Sequence, residues 1–133
     1  MEDTEWHRIV AERDLESLSG LLAADIALSA PPYWEPFRGP VIVHHLLGLI
    51  LETIEGFTYH REWRAGNEYA LEFTGTVSGL NLQGMDLVTL NAAGEIEKLD
   101  VLIRPANAVD ALREVVAPKI GAFLASLNAK DGV

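Results

Sequence analysis

The hydrophobic period of this chain switches at Gly56. Upstream, apolar residues recur at helical spacing. Downstream, they alternate with polar ones through successive segments as far as Arg104. Side chains repeat about every 3.6 residues on a helix and every two on a strand, so the switch fixes the order of elements as helices first and strands after. Strands that follow one another through short turns pair as antiparallel neighbours, and one face of their sheet must be covered by the helices. The expected fold is therefore α+β, with a curved antiparallel sheet wrapped on N-terminal helices. A sheet bent over helices makes a cone, and a cone can hold an internal pocket.

Individual segments agree with this order. Residues about 3 to 13 read as a helix, with Trp6, Ile9 and Val10 at helical spacing. Asp14 is placed to cap a second short helix that reaches about Ala24, because its carboxylate can accept from the new helix's exposed amides. Ile26 to Ser29 alternates like a strand. A loop rich in proline and aromatics runs from Ala30 to Gly39, and Pro40 suits the first position of a third helix reaching about Glu55. Val43, Leu46, Leu47, Ile50 and Ile54 form its apolar stripe, and Gly56 is expected to end it. Strands are expected at about 57–64, 68–77, 80–90 and 96–104. A final helix starts near Asn107, and Pro118 should kink or restart it.

The chain has 133 residues, enough to bury a core as one domain spanning 1–133. It has no cysteine, which excludes disulfides, thiolate nucleophiles and cysteine-bound zinc. Its net charge of −10 opposes nucleic acid and anionic membrane surfaces, so neither is an expected partner. The first residues carry no basic, then apolar, leader pattern, and a cytoplasmic protein is expected. His44 and His45 are adjacent on a helix and diverge by about 100°, so they do not share a metal. His45 falls opposite the apolar stripe and is expected in solvent. His7 and His60 are isolated; His60 is a weak candidate base. No metal-binding spacing, phosphate loop or dinucleotide fingerprint occurs, so no metal or other cofactor is expected.

The phrases Ala24-Asp25-Ile26-Ala27-Leu28, Arg38-Gly39 and Gly94-Glu95-Ile96, with a strand ending Arg104-Pro105, resemble the nuclear transport factor two-like superfamily. Relatives there include SnoaL-like polyketide cyclases, ketosteroid isomerases and limonene epoxide hydrolases. The resemblance implies a conical α+β domain with a pocket for an apolar small molecule. In ketosteroid isomerases a tyrosine donor stands eight residues before the helix-opening aspartate, and that position is Trp6 here. Their general base directly precedes a proline, sixteen residues after the same aspartate, and that position is Ala30. Their second oxyanion donor stands eight residues before the last hairpin glycine, which gives Asp86. The resemblance thus implies that one donor is kept, one is replaced by an indole, and the base is missing. An alanine cannot accept a proton, so the usual steroid-isomerase route is disfavoured.

The candidate catalytic residue is Asp86, as acid or hydrogen-bond donor of a cyclase- or isomerase-like enzyme. It shares a strand face with Val88 and Leu90, so it points where apolar residues point. Trp6, Tyr33, Trp34, Leu99, Val101 and Ile103 are the candidate substrate-binding residues. Asp100 and Arg104 fall on the opposite face and should turn outward. Without the base, a non-catalytic binding or dimerisation module is the alternative. The strand at 80–90 is apolar on both faces, so a second copy is expected to cover the outer one as a homodimer.

Overall fold

The computed structural model describes residues 5–131. Helix α1 spans Glu5–Glu12 and α2 spans Leu15–Leu18, continued by a single 3-10 turn at Ser19–Leu21. Asp14 caps α2 as expected, its Oδ1 accepting from the Ser17 amide at 3.2 Å. Strand β1 (Leu22–Ser29) and the short β2 (Phe37–Arg38) precede α3 (Pro40–Thr53). Strands β3 (Glu55–Ala65), β4 (Glu68–Val77), β5 (Leu80–Leu90) and β6 (Ile96–Arg104) follow, and α4 (Ala106–Asp131) closes the described chain.

The strands form one six-stranded sheet in the order β2-β1-β6-β5-β4-β3. From β3 to β6 every pairing is antiparallel, but β1 lies parallel to β6. Parallel neighbours need a long crossover, and α3 with the meander behind it supplies one. The inner sheet face carries Leu71, Phe73, Val88, Leu99 and Val101, all buried against α1 and α3. Gly84 stands opposite Phe73 across the β4–β5 ladder. A Cβ there would press into Phe73 Cζ and lie 2.5 Å from the Leu102 carbonyl oxygen, so only glycine fits beneath that ring.

Three local expectations are corrected. Helix α3 ends at Thr53, not at Gly56: Ile54 is already extended, and its amide closes the last turn on Ile50. Gly56 instead lies inside β3 with φ +65°, beside a register shift between Glu55 and Thr58. Helix α4 runs through Pro118 without a break. His45 is not free in solvent but stacks flat on Phe123 of α4, ring centroids 3.7 Å apart. A second helix packed on α3 gives its far side a partner that no periodicity within α3 can announce.

Candidate functional site

The site is built from four strands, β3 to β6, and the helices packed on them. Asp86 lies on the inner face of β5, opposite Leu71 of β4 and Val101 of β6. Only 6% of it is exposed. Tyr59 of β3 donates its hydroxyl to Asp86 Oδ2 at 2.5 Å, and the Trp6 indole of α1 donates in turn to Tyr59 Oη at 3.0 Å. Trp6, Tyr59 and Asp86 thus form one directed chain of donors running into a carboxyl group. Removal from water pushes the Asp86 carboxyl up to about 7, with the Tyr59 hydrogen bond pulling the other way. Burial, then the neighbouring Asp86, pushes the Tyr59 phenol well above its usual range, so it stays a donor.

A second buried polar pair stands beside this chain. Phe57 and Tyr59 face inward, and a register shift between Tyr59 and Glu62 brings Glu62 to the same face. Glu62 Oε1 is hydrogen-bonded to His7 Nε2, and Glu62 Oε2 is buried with no partner among the described residues. The His7 ring meets Tyr59 edge-on, centroids 5.6 Å apart. Period-two counting puts Glu62 on the outer face with His60, so sequence reasoning missed the pair.

The cone's interior is a row of small cavities. An inner chamber of about 30 Å³ is lined by Trp6, Leu47, Ile50, Tyr59, Phe73, Asp86 and Val101, among others. A mouth cavity of about 40 Å³ lies between the proline loop, α3, β6 and α4. Ile50 and Val101 line both. Each has room for a few small-molecule atoms, since one water needs ~10–15 Å³ of such space. Leu112, Val116 and Ile120 of α4 form the lid-side wall of the mouth.

The structure distributes the candidate residues unevenly. Asp86, Trp6 and Val101 meet in the inner chamber. Tyr33 and Ile103 line the mouth, together with Ala30. Leu99 is sealed in the core and lines neither cavity, and Trp34 projects into solvent, 91% exposed, and lines neither. Tyr33 turns back edge-on against Phe37, centroids 5.5 Å apart, which leaves Trp34 without a neighbour of that kind. His60 faces outward onto Thr74 Oγ1. Asp100 and Arg104 also face outward, to Lys98 and Gln83. Among the described residues no three histidines or carboxylates converge as a metal site, and no helix is long and apolar enough to cross a membrane.

No protein-family model and no curated protein matches the chain. Solved structures do. A steroid delta-isomerase from Pseudomonas aeruginosa is 32% identical with a TM-score of 0.85, over 91% of this chain and 90% of that one. A protein with a cystatin-like fold from Silicibacter pomeroyi is 31% identical with a TM-score of 0.85, over 93% and 88%. An NTF2-like protein from Cytophaga hutchinsonii is 16% identical with a TM-score of 0.62, over 80% and 96%, which speaks for the fold alone. The cone and its strand order are thus shared widely, and with the Pseudomonas isomerase nearly end to end: the chain belongs to the nuclear transport factor two-like superfamily.

Proposed function

We propose that this protein binds an apolar carbonyl compound inside the cone, with Asp86 as the acid or hydrogen-bond donor of an isomerase- or cyclase-like step. The observation that carries this reading is a carboxyl group set in an otherwise greasy chamber and touched by a phenol donor. A protonated Asp86 offers its own O–H to a carbonyl oxygen while Tyr59 donates to its other oxygen, and such a donor stabilises the negative charge that develops when the carbonyl is attacked or enolised. The similarity to a protein described as a steroid delta-isomerase supports the same class of chemistry. A ligand of drug size needs the cone to widen, because these cavities are far smaller than the ~300–1,000 Å³ of such a site, and α4 walls the outer one.

A non-catalytic binder is the second reading, and Ala30 favours it. That residue stands at the mouth where the resemblance places the general base, and it has no group to take a proton. The two readings separate in one experiment. Wild type, Asp86→Asn and Tyr59→Phe are assayed for binding and turnover on a panel of apolar enones. An enzyme loses about 100-fold or more in turnover with Asp86→Asn while binding survives. Binding without any wild-type turnover selects the carrier. Unchanged behaviour of both variants removes Asp86 from the site.

We further propose that a second copy covers the outer sheet face. Trp63, Ala70 and Leu87 stand in register across β3, β4 and β5, with Met85 and Leu102 in the next row. Trp63 and Leu102 are 49% and 56% exposed. Arg61, Arg64, Lys98 and Arg104 surround them, interleaved with Glu68, Glu72 and Asp100, so a two-fold axis can set each sign against the other. Sedimentation should give twice 14.6 kDa at micromolar concentration, and Leu102→Asp should return the monomer. A wild type that sediments as a monomer contradicts the dimer.

A further inference from the structure

A third cavity lies beyond the inner chamber. It holds about 100 Å³ and is walled by Leu71, Val88, Leu90 and Ile96 of the sheet, with His7 at its edge. It lies toward the Gly94 turn, at the end of the cone away from the proline loop. Leu71 and Val88 are immediate neighbours of Asp86, one across the ladder and one two residues along β5. Among the described residues, Trp6 alone lines both this back cavity and the inner chamber. Trp6 therefore borders both spaces. It is held there by one polar contact, the 3.0 Å hydrogen bond to the Tyr59 hydroxyl. That hydroxyl is also the donor to Asp86.

We propose that Trp6 is the specificity-determining partition of the binding site: it sets how long an apolar ligand can be on the side away from the mouth, and the back cavity is the space a longer ligand would fill. This rests on the carbonyl-binding reading above. A carbonyl anchored at Asp86 has two directions for its substituents. One leads past Val101 to the mouth. The other meets the indole within the same chamber. The back cavity is mostly apolar, with Glu5, His7 and Tyr69 as the polar side chains of its lining, so it suits an alkyl or ring substituent and not a charged one.

The test is a chain-length profile. Binding of symmetric straight-chain dialkyl ketones is measured by calorimetry for wild type and for Trp6→Leu, whose folding is confirmed by circular dichroism. Trp6→Phe, which keeps a ring but shortens the wall, is the second variant should the leucine prove too disruptive. Wild-type affinity should rise with length and then stop rising once one arm meets the indole. In Trp6→Leu the rise should continue, each methylene that enters the back cavity tightening binding about fourfold. Trp6→Phe should move the limit the same way by less. Adding Val88→Phe, which fills the back cavity from its sheet wall, should restore the wild-type limit in the Trp6→Leu background. A wild-type limit that neither Trp6 variant moves overturns the partition and leaves the carbonyl site standing. A wild type that binds none of the ketones overturns both.

Discussion

At pH 8 the Asp86→Asn variant is expected to be more stable than wild type by about 2 kcal/mol, and at pH 4 less stable by about 1–2 kcal/mol. The sign follows from the raised affinity of the folded carboxyl for its proton. Below the ordinary carboxyl value of 3.8, folded and unfolded chains both hold the proton, and burial has no ionic cost. As pH rises from there to about 7, the unfolded chain releases the proton and the folded chain keeps it, so stability falls. Above about 7 the folded protein carries the full cost of an ionised, buried carboxylate, about 4 kcal/mol over that span. Asparagine has no such slope. It still accepts from Tyr59, but its amide N–H groups lack a good partner, at ~1–3 kcal/mol, which offsets part of the gain at high pH and leaves a loss at low pH. Urea unfolding at both pH values reads this directly. Parallel stability-against-pH curves for the two proteins would show that Asp86 is not desolvated. A carboxyl whose removal stabilises the fold at working pH is not kept for stability, and that supports a role in binding or chemistry.

Phe73→Ala is expected to lose about 3–5 kcal/mol, seen as a lower urea midpoint with an unchanged slope. Phe73 is 1% exposed. Its ring stacks on Phe57 with centroids 4.6 Å apart, stands edge-on to Tyr59 at 6.4 Å, and lies over Gly84. These neighbours belong to two strands on either side of β4 and cannot close in together, so the lost ring leaves a hole, not a collapse. The hole opens into the inner chamber, which Phe73 already lines. Small apolar probes such as benzene should therefore bind the variant and raise its melting temperature, since apolar cavities of that size stay dry and accept such guests. A loss under about 1 kcal/mol would mean that the aromatic cluster is not packed as described.

Much of the fold was legible because it depends on local period. The switch at Gly56, the alternating strands beyond it and the cap at Asp14 all write their geometry into neighbouring residues. The inward aim of Asp86 was legible too, because β5 keeps strict alternation from Leu82 to Val88. β3 was harder to read, since it carries two register shifts, and past the second, between Tyr59 and Glu62, period-two counting on from Tyr59 assigns Glu62 to the wrong face. Trp34 misled for the opposite reason: an aromatic in a loop looks like a pocket wall, yet Tyr33 and Phe37 satisfy each other and leave it in water.

The amino-acid order alone determined the layer architecture, the family and one inward carboxyl, because hydrophobic alternation and turn chemistry act within a few residues of themselves. Tertiary structure decided the rest. That β1 joins β6 in parallel, that His45 meets Phe123, that Trp6 reaches Tyr59 and Tyr59 reaches Asp86, and that α4 covers the mouth are all contacts between distant segments. Such contacts are set by how bulges and helix packing rotate whole elements against one another, and no short stretch of residues encodes that rotation.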